Sequence, residues 1–159
     1  MQKLSLGGGK IKREGFLNVD LCEEADIRHD LRFPLPFADK SVGEIMAIHL
    51  IESFYQWEFP HILKDWYRVL DGKLTIEFTD LRSTVKMYLS KNRRDRKYGH
   101  WGLYGNQESP IDPIVLHHYV YEKLELEKLL EETGFENIKF TKEEIEHNPK
   151  RDYRVICST

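Results

Sequence analysis

Cysteine is scarce: Cys22 and Cys157 are the only two in 159 residues, far apart and with no CxxC pair. That excludes a disulfide framework and a cysteine-built zinc site, so no metal site is expected and a reducing cytoplasm suits the chain. Long apolar runs are missing as well. None approaches the roughly 20 residues of a membrane span, and the opening Met-Gln-Lys-Leu-Ser-Leu lacks the apolar stretch of a signal peptide. Excess charge of either sign is absent. The net charge is -3, with 40% hydrophobic and 32% charged residues, a globular composition without a nucleic-acid or membrane footprint. Repeats, linkers and low-complexity segments are lacking too, so residues 1–159 read as one domain.

What is present alternates between two periods. Residues 3–6 and 16–19 read as short strands, the second closed by Asp20, and residues 25–31 as a third. Residues 45–50 form an apolar run broken only by His49, the pattern of a strand buried on both faces. Phe59, Ile62, Leu63, Trp66, Val69 and Leu70 then recur at spacings of three and four, a helix with Pro60 in its first turn and Asp71-Gly72 at its end. Residues 74–78 are a strand, and Thr79-Asp80 caps a helix over 81–90. Residues 91–115 read as a long irregular loop, the place for a lid or binding loop. A helix over 121–133 ends at Gly134, and residues 138–140 and 153–157 close the chain as an antiparallel hairpin. Strands alternating with helices predict an α/β domain with a mostly parallel sheet and a ligand at the strands' carboxyl ends.

The glycine turn "LSLGGGKIKREGFLNVD" tests which ligand. A P-loop needs GxxxxGK[ST], but Ile11 follows Gly9-Lys10. A dinucleotide fingerprint needs a third glycine and a helix, but Lys12 takes that place in a segment too short and charged for a crossover helix. A ligand with a ribose and no phosphate survives this elimination. Asp20 can accept hydrogen bonds from two vicinal ribose hydroxyls, and Asp30 can meet an adenine amino group. S-adenosylmethionine has these parts.

Several ordered segments carry a resemblance: "LSLGGGKIKREGFLNVDL", "DIRHDLRFPLPFADKSVGEI", "IHLIESF", "WYRVLDGKLTIEFTDL" and "LEKLLEETGFENIKF". In this order they resemble class I S-adenosylmethionine-dependent methyltransferases, specifically the short type 11-like branch. The resemblance implies a Rossmann-like three-layer sandwich, with a seven-stranded sheet of six parallel strands and one antiparallel, and with the first crossover helix missing. It implies that Gly7, Gly8 and Gly9 pack against the methionine part of the cofactor. Asp20 would hold the ribose, Asp30 and the Leu31 backbone would sit beside the adenine, and His49 would lie near the sulfonium and acceptor. The chain departs from the pattern at Ser5, where many members carry an acid, at Gly8 for a cysteine, and at Ser53 for a histidine.

For methyl transfer to oxygen a general base helps, and His49 is the candidate, with Glu52 as its orienter or a second base. His117-His118 adjoin the long loop, but neighbours point apart, so at most one is expected to face an acceptor. The function expected is methyl transfer to a small-molecule acceptor, such as a saccharide. Two other readings use the same residues: a non-catalytic binding module that keeps the fold, and a nucleic-acid protein using the basic run 91–97, which lacks a recognition motif. A helixless edge could also support a homodimer.

Overall fold

β1 (Gln2–Leu6) alternates strictly: Leu4 and Leu6 are buried on one side, while Lys3 and Ser5 turn to the other. The computed structural model describes residues 1–107 and 116–159. β2 (Leu17–Asp20), β3 (Ile27–Arg28), β4 (Val42–Ile48) and β5 (Leu70–Thr79) run parallel to β1. β7 (Asp152–Ser158) is antiparallel to both β5 and β6 (Glu136–Thr141), giving the order β3-β2-β1-β4-β5-β7-β6. Six strands therefore share a direction and one opposes them, and the sheet is the expected α/β, Rossmann-like one.

Register lines up apolar side chains in rows. Leu4, Ile45, Leu74 and Cys157 are successive partners, as are Leu6, Ala47, Ile76 and Val155. All eight are essentially inaccessible. Against this face pack α1 (Phe59–Val69), which buries Phe59, Ile62, Leu63, Trp66 and Val69, and α4 (Lys123–Thr133), which buries Leu126 and Leu130. Each fully buried side chain of this size is worth about 1.5–3 kcal/mol relative to exposure, and this cluster is the core. Gly134 ends α4 in left-handed backbone, φ 110.

The other face differs. Lys3, Glu44 and Lys73 are neighbours in register, and Glu44 pairs with both lysines at 2.9 and 2.6 Å. Met46, Ile48 and Ile156 on this side remain partly exposed. Over the carboxyl end of this face lie loops: residues 7–16 from β1 to β2, and 142–151 from β6 to β7. Arg13 clamps the two loops through both oxygens of Glu146 at 2.9 Å. Of the layers expected on the sheet, one is helical and the other, among the described residues, is made of loops.

Three local expectations change. β4 is fully buried on one face, whereas on the other Met46 and Ile48 stay partly exposed, because among the described residues no helix covers them. Asp71 and Gly72 do not end α1; they lie inside β5, which starts at Leu70 directly after Val69. A Cβ on Gly72 would stand 2.2 Å from the Gly43 carbonyl oxygen, so the glycine serves strand contact. After α2 (Leu81–Tyr88), capped by Asp80 as expected, residues 93–104 are not irregular but form α3 (Arg93–Tyr104). Asn92 Oδ1 caps it, accepting from Arg94 and Asp95 N–H at 2.8 and 3.2 Å. Residues 108–115 of the expected loop lie outside the described residues.

Candidate functional site

The chain leaves β1 at Gly7 with φ 64. A Cβ there would stand 2.5 Å from Leu50 Cδ1, so position 7 needs glycine for its backbone and for this contact. Gly9 also has positive φ, and side chains from β2 and the residues just after it hold it. Its N–H donates to Asp20 Oδ2 at 2.8 Å, and its carbonyl accepts from Asn18 Nδ2 at 2.7 Å and Cys22 Sγ at 3.0 Å. Asp20 Oδ1 accepts from the Cys22 N–H at 2.9 Å. Each Asp20 oxygen thus keeps a lone pair for a ligand. Side-chain staples of this kind hold the turn where a crossover helix is missing.

Gly7, Asp20, Asp30 and Leu31 line one cavity of about 230 Å³, together with Tyr55 and His118. The His118 ring lies 4.3 Å from that of Tyr55, which stacks in turn on Trp57 at 6.0 Å. Asp30 is fixed by Arg32, whose Nη2 donates at 2.6 Å; those hydrogen bonds outweigh partial burial and hold the carboxyl below its ordinary pKa. A larger cavity of about 600 Å³ shares Gly7 and Asp20 with the first and adds Gly9, His49, Trp101 and His117. Gly8 faces neither. It lines a small cavity of about 130 Å³ on the charged face, with Ser5, Arg13, His49 and His147.

His49 follows β4 in left-handed backbone, φ 48, and its N–H donates to the Glu77 carbonyl at 2.8 Å. This turns the ring into a nest of carboxylates. Nδ1 lies 3.3 Å from Glu52 Oε1, and Nε2 lies 3.5 Å from Glu77 Oε1 and 3.4 Å from Asp152 Oδ2. Burial disfavours a charged ring, but Asp152, Glu52 and Glu77 overcome it and raise the imidazole pKa to about 11. An imidazolium has no lone pair, so in this state the ring donates rather than accepts.

Glu52 is fully buried and lines none of these three cavities. Burial would raise its pKa, but His49 and the Thr79 N–H, which donates to Oε1 at 2.6 Å, bring it down to about 2. Its backbone carbonyl also accepts from the His118 N–H at 2.7 Å. Of the two roles expected for Glu52, this geometry matches orientation of His49.

The adjacent histidines do point apart, yet each meets a cavity. His117 Nδ1 bonds the Gly102 carbonyl at 2.8 Å and faces the larger one, while His118 faces the smaller. Sequence reasoning missed Glu77, His147 and Asp152 around His49. Glu77 had a readable signal: a carboxylate in mid-strand among apolar residues must find partners. His147 sits in a hairpin loop, and nothing local tied it to His49.

No family model matches the sequence, and neither does any curated protein. Solved structures do match. An S-adenosylmethionine-dependent methyltransferase from Methanosarcina mazei has TM-score 0.68 at 17% identity, over 99% of this chain and 92% of that one. One from Archaeoglobus fulgidus has TM-score 0.65 at 17% identity, over 99% and 86%. One from Thermotoga maritima has TM-score 0.60 at 16% identity, over 99% and 81%. At these identities the likeness establishes the fold and leaves activity to be argued from the site.

Proposed function

We propose that this chain binds S-adenosylmethionine and transfers its methyl group to a small-molecule acceptor, a saccharide or similar hydroxyl-bearing compound, as a member of the short type 11-like branch. The observation that carries the reading is convergence. Gly7 after β1, Asp20 at the end of β2, and Asp30 with Leu31 after β3 come together on one cavity. The free lone pairs of Asp20 match two ribose hydroxyls, and the backbone at Gly7 and Gly9 allows close approach of the amino-acid end. When bound, the cofactor supplies an electrophilic methyl on a sulfonium. The chain's own contribution is alignment: the larger cavity adjoins the first across Gly7 and Asp20, so an acceptor there faces the junction, with Trp101 and His117 in its walls. The two free thiols, Cys22 and Cys157, suit work in the reducing cytoplasm.

Calorimetric titration with S-adenosylmethionine and S-adenosylhomocysteine tests the reading. Roughly micromolar binding is expected, weakened about tenfold or more by Asp20→Ala, which loses charge-assisted hydrogen bonds. Asp20→Asn, which keeps an acceptor for one N–H of the turn, separates ligand loss from loss of folding. No heat up to millimolar ligand in a folded protein refutes the proposal. Binding without methyl transfer across hydroxylated acceptors instead supports a binding module.

A further inference from the structure

We infer that His49, Glu77 and His147 form a binding site for a first-row divalent cation of the zinc type, with Asp152 beside it and one position open to the larger cavity. Ligand atoms of His49, Glu77 and His147 all lie within 4.8 Å of one another. Glu77 Oε1 stands 3.5 Å from His49 Nε2 and 3.7 Å from His147 Nδ1, and Asp152 Oδ2 stands 3.4 Å from His49 Nε2. Around a tetrahedral cation with bonds of about 2.0–2.2 Å, neighbouring ligand atoms are about 3.3–3.6 Å apart. The three separations of 3.4, 3.5 and 3.7 Å are already close to that spacing. His49 Nε2 is buried and has no hydrogen-bond partner of good geometry, although two carboxylates face it. A cation between these atoms satisfies all of them at once.

The surroundings are those of a ligand set rather than a chance ion cluster. A metal-binding histidine characteristically gives its other ring nitrogen to a carboxylate, and His49 Nδ1 has Glu52 Oε1 at 3.3 Å. Glu77 is oriented by the Glu146 N–H at 3.0 Å and by Arg154 Nη2 at 3.0 Å. His147 is carried by a loop that the Arg13–Glu146 clamp and the bond from the Asn148 N–H to Asp152, at 3.0 Å, hold in place. Imidazole and carboxylate together favour zinc and its first-row neighbours over magnesium.

Charge agrees. Glu52, Glu77 and Asp152 are fully buried and face His49, while Arg151 and Arg154 pair with two of them. Among the described residues this leaves one negative charge unbalanced when both histidines are neutral. A proton on His49 balances it; so does a divalent cation carrying one oxyanion. His49 and His147 both border the larger cavity, so the open position faces that space. Resting on the methyl-transfer reading, the oxyanion is the acceptor alkoxide: the cation would acidify the acceptor hydroxyl, whose proton leaves to solvent through the larger cavity, and the oxygen lone pair then takes the methyl group.

The experiment is Zn²⁺ titration of the full chain after chelator treatment, with Co²⁺ as a spectroscopic probe and Mg²⁺ for contrast. One Zn²⁺ per chain is expected, with a rise in melting temperature and weak or no Mg²⁺ binding. Bound Co²⁺ should show the absorption of a four-coordinate nitrogen–oxygen site. His147→Ala removes a half-exposed side chain and should leave folding intact while weakening Zn²⁺ binding about tenfold or more; Glu77→Gln should do the same if it folds. His61→Ala, outside the cluster, should not change it. Absence of stoichiometric Zn²⁺ or Co²⁺ binding, or undiminished binding by folded His147→Ala, overturns the inference. S-adenosylmethionine titration of the metal-free protein reports on the methyltransferase reading alone, so the two failures are distinguishable.

Discussion

The two faces of the sheet solve opposite problems. On one, the rows through Leu74 and Ile76 exclude water under α1 and α4, and stability there comes from apolar burial. On the other, the rows run through Glu44 and Glu77, and the cover is two loops tied by ion pairs. The first face is built to hold the sheet. The second places its charges where the carboxyl ends of the strands open, and there His49, Glu77 and Asp152 meet. A sheet face that carries no helix among the described residues can thus be given to polar groups that a packed core would reject.

The largest test of the contrast is a matched pair of truncations. Leu74→Ala, on the helical face, should cost about 2–5 kcal/mol in urea unfolding, whereas Met46→Ala, partly exposed on the other, should cost about 1 kcal/mol. Equal losses would mean that the loop-covered face is a core as well. Next in size, Gly7→Ala forces a side chain into left-handed backbone against Leu50. About 1–2 kcal/mol should be lost, together with most S-adenosylmethionine affinity. Retained affinity would mean that the turn does not approach the ligand.

The smallest effect belongs to the charged row. Glu44→Gln should cost about 0.2–1 kcal/mol, and less in high salt, because both lysines are half exposed. Burial acts to raise the Glu44 pKa, but Lys73 and Lys3 lower it below its unfolded value. Its contribution is therefore complete above the unfolded pKa and fades as acid titrates the folded carboxylate. The wild-type advantage over Glu44→Gln should begin to fade as the pH falls to the ordinary glutamate pKa of about 4.3 and be lost in stronger acid. An advantage that persists in acid would show that packing, not charge, is at work.

Much of the scaffold was legible because its signals are local. The three-and-four spacing from Phe59 to Val69, the Asp80 cap and Gly134 each act within a turn or two of chain, and each recurs in the structure. α3 was hidden by its glycines, which normally argue against a helix. In the fold they are contact points: a Cβ on Gly99 would stand 2.3 Å from the Tyr88 backbone nitrogen, and one on Gly102 2.7 Å from Thr84 Cγ2. The reading of β4 as doubly buried failed because periodicity reports apolar residues and not whether a helix is there to cover them.

At the site the same division holds. Gly7, Asp20, Asp30 and Leu31 could be singled out from the sequence because each follows a strand, and strand ends in a parallel sheet share one rim. Sequence determined the α/β order, the helical stripe and this rim. Tertiary structure alone decided that His49 meets Glu77, His147 and Asp152. Those residues come from the end of β4, from β5, from the β6–β7 loop and from the start of β7, and only strand register and a folded-back loop bring neighbouring members within 4 Å.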